Sequence, residues 1–439
     1  MGYHRNNWRQ VANMAAPFIP GGEALMSAVD VVQGISDGAS LDRLQYVRGG
    51  HPLVELPWQP PGPPPNPQRA EAIGRQAWDV LFADEQQYGA RSLLDQVGNL
   101  LMPLPPTELD MVIRRFGTQG LDRWDALTHV EDEHGEPVYD WRRAQELFSW
   151  LLRTVSPYGA MLIGTGMSCS QPEYNAACSG CHCDDHGWVL PEGPFAQVDG
   201  AYVTENWQWV SASTEAMSWQ DMDQGLFGDC WLLTSMQAVL QANPQHAPRH
   251  FRQEANGTLT VTLYDEGSPI AITLAPDLPY GHGRLWGAKG HTEDARYAET
   301  WPGFFEKAAA QFHGNYHDIV HGGPPSDALT LITGRVGQKV DLGSPWLIQD
   351  IANRKSRGQA LVATTAAAPN ADPGDAAEIA DGRLVQNHAY FVKDVDPAGG
   401  RLCLGNPWGD GSTRKLWECW LTLQEVGYYL VQIDAVDTW

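Results

Sequence analysis

From about residue 70 to residue 158 apolar side chains recur at helical spacing. Past residue 190 the texture changes to short alternating runs broken by Gly, Pro and acidic residues. A chain that places helices first and strands later does not read as alternating βαβ units. It reads as an α+β protein in which a cleft can form between the two parts. In the first part, Thr107 and Asp110 look like a capping-box start, Leu109, Val112, Ile113 and Phe116 share one face, and Gly117 is the expected stop. A second helix is expected over 140–155, ended by Pro157. In the later part, Leu232, Leu233, Met236, Val239 and Leu240 form a buried helix stripe between Gly228 and Pro244. Thr258 to Tyr264 and Ile270 to Leu274 read as a hairpin, and Pro302 opens a helix that runs to Gly314. Further strands are expected at 361–364, 388–395, 401–404 and 428–433.

Five segments follow: 1–56; a Pro-rich linker at 57–69; a helical region at 70–190; and two parts of a strand-bearing core, 191–340 and 341–439. The linker carries seven prolines, Pro57 to Pro67, and reads as a semi-rigid polyproline spacer. The formal charge of −24 argues against binding nucleic acid, because neutralising phosphates needs clustered Lys and Arg. With 18 Trp, 14 Tyr and 11 Phe, the chain has ample material for packed cores. The most apolar early stretch, 14–35, is interrupted by Pro17, Pro20 and Asp30, so neither a membrane span nor a clear signal peptide is expected. A soluble protein is expected, either cytoplasmic or exported by another route.

The string Gln224, Gly225, Leu226, Phe227, Gly228, Asp229, Cys230, Trp231 puts a cysteine at the first turn of the buried helix. Free N–H groups and the helix dipole there favour an anion, so the thiol pKa is expected to fall. The glycines would let the backbone turn and let a substrate carbonyl approach, and Gln224 is placed to return an amide as an oxyanion donor. His388 lies 158 residues downstream at the head of a strand, and Asn406 follows the next one, across a turn through Asp396, Pro397, Gly399 and Gly400. A nucleophile, a general base and a residue that holds the imidazole tautomer make a coherent set, with Trp408 able to cover the His–Asn hydrogen bond.

On these residues the sequence resembles the calpain family of papain-like cysteine proteases. Gln224 to Trp231 match its QGxxGDCW block, His388 to Tyr390 its His block, and Asn406 to Gly409 its NPWG block. Trp301, Pro302, Glu306, Lys307, Gly322 and Gly323 look like its helix and loop. The blocks are collinear over roughly 210–435. The resemblance implies a helical subdomain carrying Cys230, a strand-built one carrying His388 and Asn406, and an endopeptidase acting on protein or peptide substrates through a thioester, with self-cleavage possible. A silent binding module, and acyl transfer or deamidation by the same triad, are the alternatives. Asn387 stands where the family usually has Gly and Gly405 where Arg is common, and residues 1–190 resemble no named family.

Two metal expectations remain. Cys178, Cys181, Cys183 and His186, with Cys169 nearby, have spacing that a structural zinc tolerates, and disulfides would account for the cluster too. The resemblance places Asp221 and Glu306 where calcium ligands occur in the Cys subdomain, while the acidic stretch after NPWG is reduced to Asp410. A loop with Asp372, Asp375, Glu378 and Asp381 is the substitute. Weak or absent calcium dependence, with one site at most, is expected.

Overall fold

In the computed structural model, the residues described are 64–439 apart from 129, 131–140, 157–158, 161–162, 164–216, 226, 257, 275–279, 282–283, 286, 291–300, 314–315, 321, 369–376 and 410–416. The cysteine cluster Cys169–Cys183 with His186, most of the Pro-rich linker, Asp372, Asp375 and Asp410 lie outside them.

Helices α1 (Pro67–Leu81), α2 (Glu85–Tyr88), α3 (Ala90–Leu101), α4 (Pro106–Thr128) and α5 (Trp141–Thr154) enclose a core of their own around Trp124, Phe116 and Phe148. Two local expectations fail. Thr107 Oγ1 has no partner, and Asp110 instead accepts the Ser156 N–H at 2.9 Å, so no capping box forms. Gly117 is a kink (φ 52°, ψ −159°) after which α4 continues, because Leu121, Trp124 and Leu127 have the same core to bury.

A short 3₁₀ turn, Trp219–Asp221, leads into strand β1 (Met222–Asp223) and then α6 (Cys230–Ala242). Every residue of α6 from Trp231 to Leu240 is buried, as expected for a helix apolar on nearly all sides. Strands β2 (Phe251–Gln253), β3 (Leu259–Asp265) and β4 (Ser268–Leu274) form a three-stranded antiparallel sheet in the order β2-β3-β4, the hairpin foreseen from the sequence. Short strands β5 (Tyr280–Gly281) and β6 (Arg284–Leu285) pair with each other, and β7 (Lys289–Gly290) pairs with β1. Helices α7 (Trp301–His313), α8 (His317–Val320) and α9 (Pro325–Thr333) complete this half; α9 ends on Gly334 at φ 71°.

Then come β8 (Gln338–Lys339), α10 (Leu347–Ser356), β9 (Gln359–Thr365), β10 (Glu378–Ile379), β11 (Leu384–Val385), β12 (Ala389–Asp396), β13 (Arg401–Gly405), β14 (Glu418–Thr422), α11 (Leu423–Tyr429) and β15 (Leu430–Asp437). The expected strand at 428–433 is therefore displaced: Thr422 and Glu425 close a capping box that starts α11, and the strand begins only at Leu430. Six strands make one antiparallel sheet, β14-β13-β12-β9-β15-β8. One face, through Ala360, Val362, Ala389, Phe391 and Val436, joins the core around α6, while the other packs under α10 and α11. The fold is α+β, with α6 wedged against the sheet.

The helical region is docked on the exposed edge of the small sheet. Along β4, Ser149 Oγ donates to Ala271 O and accepts from Thr273 N, both at 3.0 Å, so one hydroxyl completes the ladder of an edge strand. Arg153 Nη1 donates to Thr273 Oγ1 (3.2 Å), and Arg142 pairs with Asp265. In return, buried Asn256 caps the end of α5, donating to Leu152 O and Val155 O at 2.7 Å each.

Candidate active site

Cys230 is the first residue of α6, partly exposed, with Asp229 at the N-cap. Gly228 has a reason other than the expected approach of substrate: a Cβ there would lie 2.2 Å from Val320 O, so the close-packed loop after α8 requires glycine. Trp231 anchors the same neighbour by donating from Nε1 to Ile319 O at 3.0 Å.

His388 stands immediately before β12 and is 6% exposed. Its main chain is held by Thr365, a residue singled out by no sequence signal. His388 N donates to Thr365 Oγ1 and Thr365 N to His388 O, both at 3.0 Å. Asn387 has φ 45°, in the left-handed region that favours glycine and that Asn tolerates best among the rest. The departure from the family's usual Gly thus keeps the backbone shape.

The β12–β13 turn brings Asn406 beside His388, as the hairpin spacing implied. His388 Nε2 lies 3.0 Å from Asn406 Oδ1, which also accepts the Trp408 N–H at 3.1 Å. The Trp408 and Tyr390 rings flank the imidazole, with centroids 5.1 and 4.9 Å away. Gly409, at φ 76°, is obligatory because a Cβ would fall 1.5 Å from Asp223 Oδ1. Next to that contact, Gln224 N donates to Pro407 O at 2.7 Å, which ties the Gln224 loop to the Asn406 loop.

The electrostatics run against the expectation of a lowered thiol pKa. Burial, with Asp229 adding to it, pushes the Cys230 thiol up to about 11, although the Ala389 main-chain N–H pulls the other way. Burial likewise lowers His388 to about 4 against the Asn406 hydrogen bond. Desolvation outweighs the helix N-terminus because Cys230 packs against the hydrophobic core around α6. Among the described residues no hydrogen bond joins Cys230 Sγ to the His388 ring. Both shifts favour a neutral thiol and a neutral imidazole at rest. Gln224 Nε2 donates to Phe227 O (2.6 Å) and Asp229 Oδ1 (3.3 Å).

The carboxylates linked with calcium lie in different settings. Asp221 closes a capping box with Ser218. Glu306 is fully buried, accepts the Ala288 N–H at 2.9 Å and faces Asp229, so it does not present an open cation site. Of the substitute acidic loop, Glu378 and Asp381 are among the described residues, and within that set no group of three or more His, Cys, Asp or Glu is placed to hold a metal.

A cysteine at the head of a buried helix, set against a histidine and an asparagine on an antiparallel sheet, is the arrangement of the papain-like cysteine proteases. Residues 201–425, about half of the chain, match the model of the calpain family cysteine proteases, and the chain belongs to that family. It is 30% identical over 200 residues to the calpain-type cysteine protease DEK1 of Zea mays, covering 43% of this chain and 9% of that protein. To calpain clp-1 of Caenorhabditis elegans it is 28% identical over 209 residues, covering 45% and 26% respectively. To calpain-10 of Macaca fascicularis it is 26% identical over 248 residues, covering 49% and 34%. The matched segments thus span about a third or less of these relatives' length.

Proposed function

We propose that this chain is a cysteine endopeptidase that cleaves peptide bonds of protein substrates through a thioester acyl-enzyme. The 3.0 Å contact of His388 Nε2 with Asn406 Oδ1 carries this reading, because it leaves Nδ1 as the ring nitrogen available to Cys230. In the forward step Cys230 Sγ attacks the scissile carbonyl while its proton passes to His388. The imidazolium then protonates the leaving amine; water, deprotonated by His388, attacks the thioester, the S–C bond breaks to release the acid, and His388 returns the proton to Cys230. Asn406 holds the imidazole, and Gln224 with the Cys230 N–H serves the oxyanion once a substrate oxygen displaces Phe227 O from one amide hydrogen while Asp229 keeps the other. Mapping new N-termini after incubation with an unfolded protein tests the reading; ammonia release without chain cleavage would favour deamidation. The same mapping reveals any self-cleavage.

The neutral resting pair has a pH signature. With the thiol at about 11, the thiolate fraction at pH 7 is on the order of one in ten thousand and rises tenfold per pH unit. Alkylation of Cys230 by iodoacetamide in the free protein is therefore expected to climb steadily from pH 6 to pH 10. His388 acts as a base only when neutral, so kcat/KM is expected to fall as pH drops through about 4. A flat alkylation plateau between pH 5 and pH 8 would reveal a thiolate–imidazolium pair and refute the neutral resting state.

Calcium is proposed to be dispensable, because direct hydrogen bonds already join the two halves of the core. Thr234 Oγ1 donates to Ala389 O (3.2 Å), Gln241 Nε2 to Lys393 O (2.7 Å) and Asn243 Nδ2 to Thr438 O (3.0 Å). Lys355 Nζ bridges Gln241 Oε1 and Val392 O at 2.8 and 2.7 Å. Activity in chelator is expected to match that in millimolar calcium within about twofold, since a weak site adds little once the halves are joined. A protein silent in chelator and restored by calcium would show the opposite.

For the helical region we propose a docked scaffold in place of a cleft-blocking segment. Among the described residues, hydrogen bonds from it to the core run to Asn256, Asp265, Ala271 and Thr273, in or beside the small sheet.

A further inference from the structure

Asp229 occupies the N-cap of α6, where an aspartate ordinarily accepts an N–H from the first helical turn. It makes no side-chain cap. Its carboxylate is used elsewhere: Oδ1 accepts from Gln224 Nε2 at 3.3 Å, and the side chain lies against that of Glu306. Both residues are fully buried. Glu306 Oε1 accepts the Ala288 N–H at 2.9 Å, while Oε2 of Glu306 and Oδ2 of Asp229 are both buried without an N–H or O–H donor from another residue. Gly287 walls the pair in, since a Cβ there would stand 1.9 Å from Glu306 Oε2. Two facing carboxyls sealed from water are held together by a proton between them.

We propose that Asp229 and Glu306 form a hydrogen-bonded carboxyl pair that positions Gln224, and through it the oxyanion site beside Cys230. The chain of contact runs from α7, which carries Glu306, to the N-cap of α6 and then to the Gln224 amide. It relates three otherwise separate segments at the point where the carbonyl oxygen of a substrate would become negative. Burial is the main cause that raises both carboxyls above the ordinary carboxylate range, with the Asp229 charge adding to it at Glu306. Giving up the helix cap for this arrangement is what a positioning role requires and a purely local structural role does not.

The inference rests on the peptidase reading, and its test separates the two. Steady-state kinetics on a peptide substrate are measured for wild type, Gln224→Ala, Asp229→Ala, the double variant, Glu306→Gln and Glu306→Leu, with thermal midpoints and the iodoacetamide rate of Cys230 alongside. Gln224→Ala is expected to lower kcat by about 100-fold, the scale of one lost oxyanion donor. Asp229→Ala should lower kcat by about tenfold or more with little change in KM, and should have no further effect when Gln224 is already Ala. Alkylation, which forms no oxyanion, should not fall for Asp229→Ala, because losing that charge favours the Cys230 thiolate. Glu306→Gln keeps a donor toward Asp229 and is expected to hold kcat within about threefold, whereas Glu306→Leu falls with Asp229→Ala. Multiplying effects in the double variant overturn the proposal. So does a rise in kcat for Asp229→Ala, which would make Asp229 a competitor for the amide, or a Glu306→Gln loss as deep as that of Glu306→Leu. Should Glu306→Leu not fold, the Gln224–Asp229 cycle still decides. A wild type that cleaves nothing removes the peptidase reading itself, and this inference with it.

Discussion

Cys230→Ala and His388→Ala are each expected to reduce kcat/KM by about 10⁴-fold or more, and the double variant should be no worse than either alone. Nucleophile and base act as one unit, so removing either removes the same step. Asn406→Ala should retain about one to two orders of magnitude more activity, because it orients the base without exchanging a proton. It should also destabilise the protein by about 1–3 kcal/mol, since Asn406 Oδ1 receives both the His388 ring and the Trp408 N–H in a buried site. The measurement is steady-state hydrolysis of a peptide substrate together with thermal unfolding of each variant. Cleavage by Cys230→Ala at the wild-type rate would remove the mechanism.

Deleting the helical region is expected to have an equally large effect, this time on folding. A fragment starting at residue 217 would leave the backbone of β4 unpaired at Ala271 and Thr273 and strip Asn256 of both its acceptors. At about 0.5–1.5 kcal/mol for each of these lost hydrogen bonds, the loss is a large share of the stability of a typical domain. The exposed edge would also be a template for aggregation. The fragment is expected to be insoluble or to lack a cooperative transition, and co-expression with residues 64–160 should recover a soluble complex. A soluble, cooperatively folding and fully active fragment would show that the helices are an accessory. A fragment more active than the full chain would establish autoinhibition instead.

Much of the site was legible before any coordinates. The hairpin at β3–β4, the buried helix from Cys230 and the approach of His388 to Asn406 follow from periodicity, turn residues and strand register, which are local properties of a chain. The resemblance supplied the pairing of the Cys block with the His and Asn blocks. Gly117 and the capping box at Thr107 misled because a core shared with other helices overrides a local stop signal, and because Asp110 found a better partner 46 residues away at Ser156.

What the sequence by itself determined was therefore which residue types stand beside which elements: Cys230 at the head of a helix, His388 just before one strand and Asn406 just after the next. The tertiary structure alone decided their environment. The sequence pattern pointed to a thiol acidified by a helix N-terminus, and burial instead raised it to about 11. Gly228 read as a place for substrate, and the fold filled it with Val320 O. The resemblance set Glu306 among the carboxylates linked with calcium, and in the fold it lies buried beside Asp229. Each of these depends on desolvation and on contacts between residues distant in the chain, which set the free energy of a charge or a cavity and which no local pattern encodes.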